Sequence, residues 1–393
     1  MIEFDNVSVV FGKKPEQALP LMAEGKGREA IREETGLVVG VHGASLKVGK
    51  GEICVLMGLS GSGKSTLLRC INGLNPITDG AVRIEHEGES VDFARASDQV
   101  QRDIRRRRIS MVFQSFALMP WLTVEQNVGF GLELQGLPKN ERREKVTKQL
   151  ELVGLDQWKD RLPDELSGGM RQRVGLARAL ATESDILLMD EPFSALDPLI
   201  RQQLQEELLE LQERLQKTIV FVSHDLDEAL KLGTNIAIMK NGEIVQHGKP
   251  EQIILHPAND YVKNFVAHTN PLNVLKVKSL MRPVSDMRQD DEGNRCISQR
   301  YDYWLITHDE IEQTRVRFGE ECFETQPWAP GQSIENLEKK PVRLSPRTLM
   351  RDAVEICYVT GHSPLIEENG VISGALGERE IYHALLSKHL GED

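Results

Sequence analysis

Apolar and polar positions alternate along residues 2 to 11, the period of two that a half-buried strand requires, and Phe11-Gly12 ends the run. The next stretch, KKPEQALPLMAEGKGREAIREETG, sets Ala18, Leu21 and Met22, then Ala30 and Ile31, at helical spacing, broken at Gly25 and Gly27. It predicts a helical insertion over about residues 13–36. Strand character returns from Val38 to Val48. After the turn Gly49-Lys50-Gly51 comes Ile53-Cys54-Val55-Leu56-Met57, continuously apolar as a strand covered on both faces must be. The runs 109–113, 186–189 and 219–222 share that character, and the charged, amphipathic segments 139–152 and 199–217 are predicted helices. Residues 77–108 mix turn residues with a hairpin expected around His86-Glu87-Gly88, and Asn241-Gly242 is a type I′ turn leading into a strand from Glu243 to Gln246. Pro250 to Ala267 has a helical pattern, and composition shifts near Thr269-Asn270-Pro271, which sets the expected domain boundary at 270. Apolar strands alternating with helices predict an α/β domain: a mostly parallel sheet covered on both faces, its ligand outside the carboxyl ends of the strands.

Composition narrows the function classes. A chain of 393 residues has room for two or three domains. Its 48 basic and 60 acidic side chains, net charge −12, argue against a general nucleic-acid binder, whose phosphate contacts need clustered Lys and Arg. The local run Arg105 to Arg108 is expected to be a solvated helix end. Cys54, Cys70, Cys296, Cys322 and Cys357 form no CxxC pair and have no His at metal-ligand spacing, so they are expected to be free thiols in a reducing cytosol. The amino terminus MIEFDNVSVVF lacks the basic and apolar regions of a signal peptide. No stretch approaches the roughly 20 apolar residues of a membrane span, so any membrane connection is expected to run through a partner.

The densest chemistry is in residues 58–66, GLSGSGKST, where Gly58, Gly63, Lys64 and Ser65 satisfy the phosphate-loop pattern G-x-x-x-x-G-K-S/T. A glycine-rich turn alone can carry such a string, but the apolar strand ahead and the helical pattern behind favour the phosphate loop. Glycines let successive N–H groups point inward at phosphate oxygens, and the helix N-terminus adds its positive dipole end. Lys64 is expected at the outer phosphates and Ser65 on magnesium. The apolar run ending in Asp190, followed by Glu191, fits a strand that presents one carboxylate to a metal-bound water and a second as general base.

Leu166-Ser167-Gly168-Gly169-Met170-Arg171-Gln172, opening a helix after Pro163, closely resembles the signature motif of ATP-binding cassette (ABC) ATPases. Gln114 after a strand, Ser194-Ala195-Leu196-Asp197 past Glu191, and His224 after another strand match that family's further loops in order, so the resemblance covers residues 2 to about 250. It implies a P-loop NTPase cassette with a helical subdomain, binding ATP and Mg2+. Phe11 stands where the family stacks an aromatic ring on adenine. Gly58, Ser60, Gly61, Ser62, Gly63, Lys64, Ser65 and Thr66 would hold the phosphates, and Ser65, Gln114 and Asp190 the magnesium. Glu191, with His224 and Gln114, would carry catalysis. Ser167, Gly168 and Gly169 would close over the nucleotide of a second chain, which makes the expected assembly a head-to-tail homodimer, and Asp197 is expected among the nucleotide-binding residues.

The stretches GREAIREETGLVVGVHGASL, VFQSFALMPWLTVEQNVGFG and DELSGGMRQRVGLARAL with LLMDEPFSALDPLIR resemble the ATPase subunit of bacterial quaternary-amine importers, those for glycine betaine, proline betaine or choline. That resemblance implies an integral-membrane permease, an extracytoplasmic substrate-binding protein reached through it, no nucleic acid, and a peripheral place on the cytoplasmic face of the bacterial inner membrane. Contact with the permease is expected around Gln114 to Phe130, where Phe116, Leu118, Met119, Trp121 and Leu122 are apolar for a loop, although burial inside the helical subdomain would also explain them. Import of another small solute and a soluble, non-transport ABC ATPase are the competing readings. The second lacks the long coiled coil that such proteins insert between the phosphate loop and the signature. Residues 271–393 resemble a smaller α+β domain of paired CBS units, the first half degenerate. Gly377 and Glu380 stand where nucleotide-holding CBS units carry Thr or Ser and then Asp, so classical nucleotide binding there is not expected.

Overall fold

The computed structural model describes residues 1–194, 196–267, 269–307 and 311–386. The chain forms two compact units, one of Met1–Lys249 and one from Pro250 onward. The division falls at Lys249, ahead of the boundary expected at 270. The segment 250–267 is two helices, Pro250–Leu255 and Asp260–Val266, rather than one. Pro257 interrupts the ladder of backbone donors, and Asn259 restarts it by accepting the Val262 N–H at 3.0 Å. In the second unit Lys276 pairs with Glu251 at 3.7 Å, which ties this helical segment to the chain that follows it.

The strands of the first unit are, in chain order, β1 Ile2–Phe11, β2 Val38–Val48, β3 Ile53–Met57, β4 Asp79–His86, β5 Glu89–Asp92, β6 Ile109–Val112, β7 Ile186–Asp190, β8 Thr218–Val222, β9 Asn235–Lys240 and β10 Glu243–Gly248. Its α-helices are α1 Ala18–Ala23, α2 Arg28–Thr35, α3 Lys64–Cys70, α4 Asp98–Arg107, α5 Val124–Leu134, α6 Lys139–Leu152, α7 Gly168–Ala181, α8 Pro198–Leu215 and α9 Leu226–Leu232. A six-stranded sheet runs β10-β9-β3-β8-β7-β6, parallel from β9 to β6 and closed at one edge by the antiparallel β9–β10 hairpin. Every residue of β3, β7 and β8 is buried, which is why these strands are apolar without alternation. Asn241 and Gly242 both take positive φ, 50° and 88°, as the type I′ turn requires.

A second sheet, β2-β1-β4-β5, is antiparallel and faces the same core through Phe4, Val41, Leu46, Val82 and Ile84. The β1–β2 connection carries α1 and α2, as the sequence pattern predicts, and these bury Ala18, Met22, Ile31 and Leu37 with Val10 and Val39. Helices α5, α6 and α7 form a subdomain around Val128, Leu132, Val146, Leu150 and Val174. The arginine run is the last turn of α4, where Arg105, Arg106 and Arg107 oppose the negative end of the helix.

In the second unit a five-stranded sheet joins Arg282–Pro283, Val371–Ala375, Leu365–Glu368, Val342–Leu344 and Gln326–Pro327, and a four-stranded antiparallel meander runs from Arg295–Ser298 through Glu321–Glu324. Strand, helix, strand, strand, helix follow in order at 342–344, 350–360, 365–368, 371–375 and 378–386, the element order expected for that stretch. The meander occupies the place where the first half loses its pattern. Glu380 is 4% exposed, accepts the Gly377 N–H at 2.9 Å and faces Arg282 at 3.6 Å. Its carboxylate is therefore engaged by its own chain.

Leu188 lies in register between Met111 and Val220 and is fully buried. Leu188→Ala is expected to cost about 2–5 kcal/mol of stability, transfer and cavity costs combined. A denaturant midpoint for the first unit's transition that does not move would contradict this placement at the centre of the core.

Candidate nucleotide site at the carboxyl ends of the parallel strands

The phosphate loop leaves β3 at Met57 and enters α3 at Lys64, so the chain reverses between a buried strand and a helix packed on the same sheet. Two glycines make that reversal possible. Gly58 takes φ 142° and a Cβ there would meet the Met239 carbonyl oxygen at 2.2 Å; Gly63 takes φ 101° and its Cβ would meet the Gly40 carbonyl at 2.5 Å. The Gly242 N–H donates to the Ser62 carbonyl at 2.9 Å, which fastens the loop's base to the β9–β10 turn. The Ser62 hydroxyl is buried and has no partner among the described residues.

Lys64 is buried and its Nζ donates to the carbonyls of Gly58 at 2.9 Å and Leu59 at 3.1 Å. Burial pushes its pKa down, while the charges of Glu191 and Asp190 pull the other way. The ammonium thus sits inside the loop, solvated by backbone oxygens that a stronger acceptor can replace.

Asp190, the last residue of β7, is fully buried. Its two oxygens are both engaged: the Ser65 hydroxyl donates to one at 2.7 Å and Arg69 Nη2 to the other at 2.8 Å. Ser65 and Arg69 lie four apart on α3 and so face the same side. Arg69 carries no sequence motif, and its role is visible only here. A half-buried hydroxyl and a buried carboxylate, with the amide of Gln114 near the neighbouring acid, are hard oxygen donors few enough to leave room for phosphate and water, the donor set that Mg2+ prefers. Among the described residues no group of three or more His, Cys, Asp or Glu is arranged to hold a metal alone.

Glu191 follows at φ 47°, a left-handed backbone that costs about 1–2 kcal/mol in a residue with a side chain. Three bonds hold it there. Its N–H donates to the Val222 carbonyl at 3.1 Å, and its carbonyl accepts the Ser194 N–H at 3.3 Å and the Ser194 hydroxyl at 2.9 Å. The turn aims its carboxylate at two predicted residues: Gln114 Nε2 donates to Oε2 at 3.0 Å, and His224 Nδ1 lies 3.4 Å from the same oxygen. Gln114 follows β6, Glu191 follows β7 and His224 follows β8, so three adjacent parallel strands deliver the three groups to one edge.

Beneath His224 is a buried network that sequence inspection missed. Asp225 caps α9 through the Glu228 N–H at 3.1 Å, and the Asp225 N–H donates to Ser223 Oγ at 2.9 Å. Ser223 Oγ and Gln205 both donate to the Glu228 carboxylate, and burial pushes the Glu228 pKa up. Arg201 bridges Asp225 at 3.3 Å and the Leu196 carbonyl at 3.3 Å. The turn carrying His224 is thereby tied to the turn after Glu191.

The remaining predicted residues divide. Phe11 is 41% exposed, and a Cβ on Gly40 would lie 2.7 Å from its ring and 3.2 Å from Thr66, so its ring borders the start of α3. Ser60 and Gly61 form the exposed crest of the phosphate loop. Ser167 N-caps α7 through the Met170 N–H at 3.3 Å, with Gly168 and Gly169 as the first helical residues. Asp197 N-caps α8 through the Ile200 N–H at 3.1 Å, and Ala195 lies outside the described residues. Among the described residues no hydrogen bond joins Ser167, Gly168, Gly169 or Asp197 to the phosphate loop of the same chain. In the apolar loop Leu118 packs on the helical-subdomain core, as the burial reading expects for that residue, whereas Trp121 is 74% exposed. A separate cavity of about 660 Å3 opens at the other end of the strands, beside Ile186 and Thr218, and no phosphate-loop residue lines it.

Comparison with known proteins places the chain in a family. Residues 41–194 match the family model described as ABC transporter. The chain is 53% identical over 281 residues to ProV of Escherichia coli, the ATP-binding protein of a glycine betaine/proline betaine transport system, covering 72% of this chain and 69% of that one. It is 50% identical over 289 residues to the glycine betaine transport ATP-binding protein OpuAA of Bacillus subtilis, covering 74% and 68%. The dimeric structure of the ATP-binding cassette MJ0796 in a post-hydrolysis state with ADP and Pi superposes with a TM-score of 0.54 at 31% identity, over 64% of this chain and 99% of that chain.

Lys64→Ala removes the one ammonium inside the loop. It is expected to raise the Kd for ATP by about tenfold or more, the loss of a bond to a charged group. Calorimetric titration of the full chain checks this, and an unchanged affinity would sink the assignment.

Proposed function

The chain belongs to the ATP-binding subunits of ABC transporters and is an ATPase, and we propose that it is the motor of an importer for a glycine betaine-type quaternary amine. The observation that carries the ATPase site is the convergence of Lys64, the Ser65–Asp190 pair and the Glu191–Gln114–His224 cluster on one edge of the parallel sheet. The solute follows from the 53% and 50% identities to glycine betaine transport subunits, since no residue of this chain is proposed to touch the solute. Another small solute remains the competing reading.

In the proposed mechanism the phosphate loop wraps the β- and γ-phosphates with its N–H groups, and Lys64 exchanges its bonds to Gly58 and Leu59 for phosphate oxygens. Phe11 offers its ring face to adenine. Ser65 and Asp190 would hold Mg2+, which supplies charge neutralisation on the phosphates when bound. Glu191 accepts a proton from the attacking water as its oxygen bonds to the γ-phosphorus. The bond to the β–γ bridging oxygen then breaks, and ADP and inorganic phosphate are released. Gln114 and His224, both within reach of Glu191 Oε2, orient that carboxylate, and His224 also hydrogen-bonds the γ-phosphate.

Ser167, Gly168 and Gly169 present a helix N-terminus and a hydroxyl, and the reading assigns them to the γ-phosphate held by a second copy. Two copies would thus pair head to tail around two ATP molecules. Exposed Trp121 is the anchor proposed for the permease. Among the described residues no helix is long and apolar enough to cross a membrane, and the proposed location is peripheral, on the permease at the cytoplasmic face. The second unit is proposed to regulate the motor or stabilise its dimer.

Glu191→Gln keeps the size of the side chain and removes the base. Steady-state hydrolysis is expected to fall by about 10²-fold or more while an ATP-bound dimer accumulates on size-exclusion chromatography. Turnover within a few-fold of the parent chain would remove Glu191 from its role. The transport reading is tested by co-purification from membranes: recovery of a polytopic permease together with ATP-dependent glycine betaine uptake is the expected result. Uptake of an unrelated solute instead would reassign the substrate.

A further inference from the structure

The connection between β1 and β2 is not a loose excursion. Gly12, at φ 130°, approaches Leu37 so closely that a Cβ would lie 2.6 Å from Leu37 Cδ2, and Ala18, Met22 and Ile31 close a small core over Val10 and Val39. That core fixes the first turn of α2, which begins at Arg28 after an extended Gly27. From there the Arg28 guanidinium reaches away from its own helix. Its Nε donates to the Val39 carbonyl at 2.5 Å and its Nη1 to the Gly61 carbonyl at 3.2 Å.

Gly61 belongs to the crest of the phosphate loop. The base of the loop is fixed by close packing at Gly58 and Gly63 and by the Gly242 bond to Ser62. The crest has no such support: Leu59 is 64% exposed, and a Cβ on Gly61 would meet no atom within 4 Å. Lys64 bonds the Leu59 carbonyl, but that ammonium is the group the phosphates draw away. Arg28 reaches this crest from outside the loop, through its bond to the Gly61 carbonyl.

The bond also has a direction. A trans peptide places its carbonyl and the next N–H on opposite sides. With the Gly61 carbonyl drawn outward to Arg28, the Ser62 N–H points into the loop, where it meets the Leu59 carbonyl at 3.1 Å. An inward N–H at this position is what a bound phosphate needs.

We propose that the helical insertion is a working part of the nucleotide site, with Arg28 a positioning residue that fastens the crest of the phosphate loop in its phosphate-accepting conformation. The proposal rests on the phosphate loop being the ATP site, so Lys64→Ala is measured alongside. In the full chain, Arg28→Ala is expected to raise the Kd and KM for Mg-ATP by roughly tenfold, the ratio for one lost bond to a charged group, with kcat within about twofold and melting unchanged. Arg28→Lys keeps a donor and is expected to recover part of that affinity. Adenosine binding, which involves no phosphate, is expected to be unaffected by either change.

A Kd for ATP within about twofold of the parent in both Arg28 variants, with Lys64→Ala weakened, would overturn the role of Arg28 and leave the site standing. An unchanged Lys64→Ala would instead overturn the site itself. If Arg28→Ala lowers the melting transition, Arg28→Lys decides: parent-like melting with weakened ATP binding supports positioning, and loss of kcat with unchanged KM refutes it.

Discussion

The cassette depends on one buried charge. Asp190 has no exposure to water, and an unpaired carboxylate in that position would cost several kcal/mol. Ser65 and Arg69 satisfy it from the same face of α3, and in doing so they pin the helix that follows the phosphate loop to the end of the buried strand β7. The Ser65 bond lies between two residues proposed to share a magnesium ion, so the interaction that closes the fold would also pre-align the metal site.

Around that pair the sheet imposes the rest. Parallel strands in order β3, β8, β7, β6 end at one edge, and each is followed by a polar group that the edge brings together. Gln114 and His224 reach Glu191 because their strands flank β7 on either side. The left-handed backbone at Glu191 is the one strained element among the three, and it is over-determined by bonds to Val222 and Ser194. The network of Arg201, Asp225, Ser223 and Glu228 then ties together the turns that carry Glu191 and His224.

The antiparallel sheet and its insertion form a second support for the same loop. Gly40 and Gly242 close on Gly63 from the strand side, while Arg28 reaches Gly61 from the helical insertion. An insertion that looks dispensable as a length of chain is therefore packed, capped and directed at the phosphate loop. The second unit follows a different logic: its elements have the predicted order from residue 342 onward, but the preceding four-stranded meander was not anticipated.

The sequence by itself determined what is local. Continuous apolar runs marked β3, β7 and β8, glycine spacing marked the phosphate loop, Asn241-Gly242 marked its hairpin, and Asp190-Glu191 marked the acidic strand end, because backbone sterics and burial act over a few residues. The insertion's two helices were legible for the same reason. Tertiary structure alone decided which distant groups meet. Arg69 has no motif, yet it neutralises Asp190; Arg28 sits in an unremarkable helical stretch, yet it bonds Gly61; Arg201 and Glu228 look like solvated charges until α8 and α9 close over them. Each owes its role to a partner 20 or more residues away, chosen by strand order and helix facing, which no local pattern encodes. The division between units after Lys249 and the inward turn of Glu380 are not written in the local pattern for the same physical reason: both are set by what packs together rather than by the residues beside them.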